Sequence, residues 1–201
     1  YYTTDGTDPT PGSSVAADGV MITETSLVTA QNFRDGIPVS GTTRALFTKV
    51  LPHPGVRINR AERGLYYEYF EGSWDSLPDF NKLNKVKTGV LSNIDISDRA
   101  RDNNFGFVFE GLILIQEKGV YSFFTDSDDG SQLFIGDNLV VDNDGLHSMT
   151  EAKGSVALDT GYHPIRVTYF EKGGGNSLEV YYDNARFEKR SIPDNLLFHR
   201  K

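Results

Sequence analysis

Along most of the chain, apolar and polar residues alternate with a period of two, and the apolar runs are short and rich in Val, Ile, Tyr, Phe and Thr. That period puts successive side chains on opposite faces of an extended strand, and no window carries a convincing 3.6-residue period. The pattern predicts strands over 1–4, 20–22, 26–33 and 45–50, with turns at Asp5-Gly6, Asp8-Pro9 and Asp35-Gly36 between them. From 64 onward the strands lengthen and become aromatic, over 65–70, 105–115, 120–125, 133–135, 139–141, 154–158, 163–170 and 178–182. Strands so closely spaced imply an all-β fold, an antiparallel β-sandwich or barrel. The best helical stretch, 96–103, is short and polar and predicts a single turn after a Ser or Asp cap. Pro52-His53-Pro54-Gly55 interrupts the pattern, because two prolines so close cannot both occupy a sheet interior. The expected organisation is a small β module over 1–51, a linker over 52–63, a β-sandwich over 64–190 and a tail over 191–201.

Composition narrows the function. With 38% hydrophobic and 12% aromatic residues, the 201-residue chain can fill a core. A net charge of −8 and a pI near 5.0 argue against nucleic acid and anionic membrane surfaces as partners. No apolar run approaches the ~18 residues of a membrane span. The absence of cysteine removes disulfides, thiolate metal sites and cysteine nucleophiles together. The chain opens on Tyr1-Tyr2-Thr3-Thr4, which reads as the middle of a strand, so a piece of a longer protein is expected.

Chemistry concentrates in 121–144, YSFFTDSDDGSQLFIGDNLVVDND, where an aromatic strand runs into Ser127-Asp128-Asp129-Gly130-Ser131. Adjacent carboxylates at a tight corner repel each other. Such a pair is retained either because the side chains cap local N–H groups, with Gly130 supplying a positive φ, or because a hard cation sits between them. His147 lies in the polar loop that follows and is placed either to hydrogen-bond a sugar hydroxyl or to pack on the closing hairpin. Trp74, the sole tryptophan, sits in the 72–78 loop, as a platform for a sugar ring or as the anchor of that loop. The aromatic strings at 66–70, 105–109 and 181–182 keep the period of two and read as core. Asp142-Asn143-Asp144-Gly145 superficially suggests a calcium loop but lacks the downstream Glu and the helical context of an EF-hand. No nucleophile elbow, zinc-protease motif or phosphate-binding glycine loop is present, and no carboxyl pair sits in a recognisable glycosidase constellation. The piece is therefore not expected to be an enzyme itself.

Three strings carry a resemblance: GLYYEYFEGSWDSLPDF, FGFVFEGLILIQEKGVYSFFTDSDDGSQLFIGDNLVVDN and GSVALDTGYHPIRVTYFEKGGGNSLEVYY. In that order they resemble the opening strand, central strands and closing hairpin of the PA-fourteen domain family, named for a domain of anthrax protective antigen, over about 64–187. In fungal adhesins of the family, adjacent aspartates joined by a cis peptide bind calcium, which holds vicinal sugar hydroxyls. The resemblance thus implies Ca2+ at Asp128 and Asp129. Where those adhesins contribute a further asparagine, this chain has Glu171, a carboxylate able to serve as the third ligand, followed by a short Gly-rich loop ending at Asn176, which is expected to contact the sugar together with the aspartate corner and His147. YYTTDGTDPTPGS and TAQNFRDGIPVSGTTRALFTK resemble the tail of a fibronectin-like module appended to bacterial chitobiases and β-hexosaminidases. Together the two resemblances imply the non-catalytic C-terminal region of a secreted bacterial β-N-acetylhexosaminidase, located outside the cytoplasm. Its partners would be a glycan or oligosaccharide and the catalytic domain of the same polypeptide. The alternative is a structural spacer or protein-interaction module without a ligand.

Overall fold

The structure, a computed structural model, describes residues 1–17 and 19–201. The chain divides into two units, Tyr1–Leu51 and Pro52–Lys201. In the first unit β1 (Tyr2–Thr3), β2 (Ser26–Ala30) and β5 (Thr43–Phe47) form a three-stranded antiparallel sheet, and β3 (Phe33–Arg34) pairs with β4 (Ile37–Pro38). The strand expected over 26–33 is divided, because Asp35-Gly36 folds Phe33 and Arg34 back onto Ile37 and Pro38 as a separate hairpin. Asp35 and Gly36 have φ of 52° and 79°, the twist that suits a two-residue hairpin turn. Residues 20–22, also expected as a strand, form no strand with the described residues.

The second unit holds the remaining strands: β6 (Ala61–Arg63), β7 (Leu65–Glu71), β8 (Lys87–Leu91), β9 (Phe105–Ile115), β10 (Gly119–Asp128), β11 (Ser131–Ile135), β12 (Asn138–Asn143), β13 (Thr150–Leu158), β14 (Gly161–Glu171), β15 (Ser177–Asn184), β16 (Phe187–Ser191) and β17 (Leu197–Arg200). They make two antiparallel sheets. The smaller has the order β13-β10-β15-β16, and the larger runs β12-β11-β14-β9-β17-β6, with β7 also on β9 and β8 on β7. Period-two alternation sorts the faces: Phe105, Phe107 and Phe109 of β9 and Val167 and Tyr169 of β14 meet Phe123 of β10 and Tyr182 of β15 in one core between the sheets. Each such side chain contributes roughly 1.5–3 kcal/mol on full burial, so this layer is the main source of cohesion. A smaller cluster on the outer face of the large sheet packs Phe70, Phe80 and Val108 beneath Trp74 and Leu77.

Three expectations change here. Residues 61–63, expected in a linker, and 197–200, expected in a tail, are strands of the large sheet. β17 takes the edge of β9 at Leu112 and Ile113, just beyond the stretch occupied by β7, and Leu197 becomes fully buried in the core. The helical turn expected over 96–103 shrinks to one isolated turn: Asp95 caps it by accepting the N–H of Ser97 (2.7 Å), and the Arg99 N–H reaches the Ile96 carbonyl (3.2 Å), but no helix continues from it. The only helices among the described residues are 3-10 turns at Phe80–Lys82 and Asp194–Leu196.

Antiparallel register then gathers one end of the sandwich. Ser127 lies opposite Thr150, Asp128 opposite Ser177, Ser131 opposite both Asn143 and Tyr169, and Glu171 opposite Phe105. The chain crosses from the small sheet to the large one between β10 and β11, at Asp128-Asp129-Gly130.

Candidate functional site

At this crossing the peptide between Asp128 and Asp129 is cis. One oxygen from each of Asp128, Asp129 and Glu171 lies within 4.8 Å of the others. Asp129 is 5% exposed and Glu171 is fully buried, while Asp128 is half-buried. Backbone donors fix the arrangement. The N–H of His147 donates to Asp129 Oδ1 (3.1 Å), that of Lys172 to Asp129 Oδ2 (3.0 Å), and that of Asp129 to Glu171 Oε2 (3.1 Å). The Tyr169 hydroxyl donates to the carbonyl of Asp128 (2.5 Å), and the N–H of Phe170 to that of Gly130 (3.0 Å).

Two glycines stand where a side chain would press on the corner. A Cβ on Gly130 would stand 2.5 Å from the Phe170 ring and 2.8 Å from the Gly145 nitrogen. Gly130 does not have a positive φ, so close approach, and not the turn conformation expected from the sequence, is what demands glycine there. A Cβ on Gly175 would lie 2.8 Å from Asp128 Oδ2, so the Gly-rich loop can lie directly against that carboxylate.

Beneath the corner, Ser127 and Ser131 share a hydrogen bond (2.8 Å), and Asn143 Nδ2 donates to Ser127 (3.1 Å) and to the carbonyl of Thr150 (2.8 Å). This buried network ties β10, β11, β12 and the start of β13 into one support. The His147 ring is engaged by backbone carbonyls, with Nε2 on that of Asn143 (3.0 Å) and Nδ1 on that of Ser148 (3.1 Å), so its direct hydrogen bond to the corner is through its backbone N–H, while the ring acts on Asp128 through space. Asn176 turns outward to the carbonyl of Asp102 (3.1 Å). Trp74 packs edge-on against Phe80, 6.1 Å between ring centroids, which anchors its loop. That loop nevertheless borders the site, because Asp75 pairs with Lys172 (2.5 Å) and the N–H of Leu77 donates to Asp144 (2.7 Å).

Electrostatics at the corner are unbalanced. Like charges this close repel by on the order of 3 kcal/mol per pair at an effective dielectric of about 20. Among the described residues, no Lys or Arg pairs with any of the three carboxylates. Burial first, then Asp129 and Asp128, push the Glu171 carboxyl up to about 7. Burial and Asp129 raise Asp128, and burial and the neighbouring carboxylates raise the Tyr169 phenol. Glu171 Oε1 is buried without a hydrogen-bond partner. An all-oxygen donor set with excess negative charge and one orphaned carboxylate oxygen fits a hard divalent cation such as calcium.

Tyr169, Asn143 and the Lys172 N–H escaped sequence reasoning. Tyr169 obeys the core alternation, and only its hydroxyl leaves the core. Asn143 stands in the DNDG string, where its neighbours draw the attention, and the Lys172 N–H carries no side-chain signal at all.

This site sits in a recognised architecture. Residues 61–196 match the PA14 domain family, and the chain belongs to it. It is 24% identical over 177 residues to a β-hexosaminidase of Porphyromonas gingivalis, covering 84% of this chain, and 24% identical over 146 residues to the anti-sigma-I factor RsgI3 of Acetivibrio thermocellus, covering 70%. The chain spans 22% of the length of each. Among solved structures, the epithelial adhesin 9 A domain of Candida glabrata, in complex with Galβ1-3GlcNAc, superimposes with a TM-score of 0.60 at 14% identity, covering 76% of this chain and 97% of that one.

Proposed function

We propose that the second unit is a calcium-dependent carbohydrate-recognition module, with Asp128, Asp129 and Glu171 holding the ion at the crossing between the sheets. The observation that carries this reading is the trio of carboxylates, two of them buried, with no Lys or Arg partner among the described residues and an orphaned oxygen on Glu171. Calcium bound there would supply open coordination positions for two vicinal sugar hydroxyls. The chain's own residues do the positioning. The N–H groups of His147 and Lys172 hold both oxygens of Asp129, Tyr169 anchors the Asp128 backbone, and the Lys172–Asp75 pair fixes one rim. The adhesin bound to Galβ1-3GlcNAc supports a saccharide as the ligand class.

The first unit is assigned to the fibronectin-like module of β-hexosaminidases, and the whole to the accessory region of a secreted bacterial β-N-acetylhexosaminidase. In support, the hexosaminidase alignment covers more of the chain than the second unit contains and so runs into the first, whereas the anti-sigma alignment is short enough to fit within the second. The second reading, a spacer without a ligand, draws on the fact that both Asp129 oxygens already accept backbone N–H groups.

Calorimetric titration of calcium into EDTA-stripped protein separates the two. Saturable heat that disappears in Asp129→Asn is expected, and the absence of calcium heat in the wild-type protein rejects the metal site and leaves the spacer.

A further inference from the structure

The outer face of the large sheet carries a second feature, remote from the carboxylate corner in the topology. β7 follows β9 as far as Glu110, and β17 takes the same edge from Leu112, so the edge changes partner at Gly111. A groove of about 330 Å³ lies there, lined by Leu112 and Pro164, by the touching rings of Tyr66 and His199 (4.6 Å between centroids), and by the Arg166–Glu110 pair (3.1 Å). Tyr66 is 50% exposed in it. A neighbouring depression of about 380 Å³, lined by Arg57, Arg60 and Lys201, shares Arg200 with the groove.

The charge here runs against that of the whole protein. Of the 20 Lys and Arg residues, 13 pair with a carboxylate. Of the seven that pair with none among the described residues, four are Arg57, Arg60, Arg63 and Arg200, all on β6, on β17 or in the segment just before β6. All four are exposed. In a chain of net charge −8, four arginines at one sheet edge without a carboxylate partner among the described residues concentrate positive charge locally. The guanidinium fork matches a carboxylate or sulfate with two parallel hydrogen bonds. An exposed tyrosine face beside apolar Leu112 and Pro164 suits the C–H face of a pyranose ring. Glu110 and Glu62 in the same patch are held by Arg166 (3.1 Å) and Lys201 (2.6 Å), and their remaining lone pairs can accept sugar hydroxyl donors, which a phosphodiester backbone lacks.

We propose that this groove is a second carbohydrate site, specific for an acidic oligosaccharide whose carboxylates engage Arg60 and Arg200 while a sugar ring stacks on Tyr66. It is independent of the carboxylate corner. The test is calorimetry at low ionic strength with a defined oligogalacturonide, in EDTA throughout, so that the fate of the calcium reading has no bearing on it. The fully methyl-esterified oligomer and an oligothymidylate of equal charge are the comparisons. Saturable binding of the acid is expected, weakening with added salt, absent for the ester, and roughly tenfold weaker in Arg60→Glu/Arg200→Glu. These side chains are exposed, and an unchanged melting temperature would show that the double variant is folded. Tyr66→Ala should weaken the oligogalacturonide and leave any oligothymidylate binding as it was. Absence of saturable binding, equal binding of acid and ester, or an unchanged affinity in the double variant overturns the proposal. So does oligothymidylate binding as tightly as the sugar with Tyr66→Ala affecting neither, which would mark an unspecific polyanion surface.

Discussion

Replacing Glu171 with Gln removes a charge that the fold holds at a cost, and the size of that cost follows from its surroundings. Burial and the two aspartates push its carboxyl from an ordinary 4.5 up to about 7. The folded state therefore keeps this proton to higher pH than the unfolded chain does. Without metal, the contribution of Glu171 to stability is most favourable below about 4.5, is lost as pH rises toward about 7, and levels off above that. At about 1.4 kcal/mol per pH unit, the ionised side chain costs the metal-free fold up to about 3 kcal/mol at pH 8. The amide retains an oxygen for the Asp129 N–H and offers its NH2 group to the neighbouring aspartates, so Glu171→Gln should stabilise the EDTA-treated protein at pH 8 by about 1–3 kcal/mol. At roughly 2–4 °C per kcal/mol for a unit of this size, that is a rise of several degrees in melting temperature. At pH 4.5 the gain should nearly vanish. With calcium at pH 8 the order should reverse, because wild type gains binding energy through a carboxylate that the variant lacks. Thermal unfolding of both proteins at the two pH values, with EDTA and with calcium, provides the comparison. A variant less stable than wild type at pH 8 in EDTA, or a gain equal at both pH values, would refute the electrostatic reasoning.

Asp129→Asn keeps the shape but sets an amide N–H2 against a backbone donor, and should cost about 1–3 kcal/mol by urea unfolding while abolishing the calcium-induced rise in melting temperature. Tyr169→Phe deletes only the hydroxyl on the Asp128 carbonyl, and a loss of about 1 kcal/mol with an otherwise unchanged core is expected by the same method. Gly175→Ala should weaken calcium binding in calorimetry with little change in stability, since its Cβ displaces Asp128 Oδ2 from an exposed loop. Leu197→Ala should cost about 2–5 kcal/mol, the loss of a fully buried side chain, whereas a dispensable tail would show almost none.

How much of this was legible in the sequence depended on how local the physics is. Strands β7, β9, β10 and β14 announce themselves because each buries one face along its whole length, which forces the period of two in LYYEYF or FGFVFE. β17 is four residues long and β6 three, too few to establish a period, so only pairing with β9 and with each other defines them. The corner divides the same way. Asp128 and Asp129 are adjacent in the chain, so their mutual repulsion can be read directly. Glu171 arrives from 42 residues away, and only the register of β14 on β9 and β11 carries it there, so without a family resemblance nothing would single it out among 28 acidic residues. His147 and Lys172 act through backbone N–H groups, which every non-proline residue has. The Trp74 loop reaches the rim through Asp75 and Leu77, a contact set by tertiary packing across the end of the sandwich.

The central claim is recognition of glycans through a cation at Asp128, Asp129 and Glu171. Its most direct test is binding of the whole chain to a panel of neutral glycans, measured once in calcium and once in EDTA. The account predicts saturable binding to glycans with vicinal hydroxyls in calcium, lost in EDTA and absent from Asp129→Asn. Binding that is indifferent to EDTA, or no binding to any neutral glycan by a protein that does take up calcium, would contradict it.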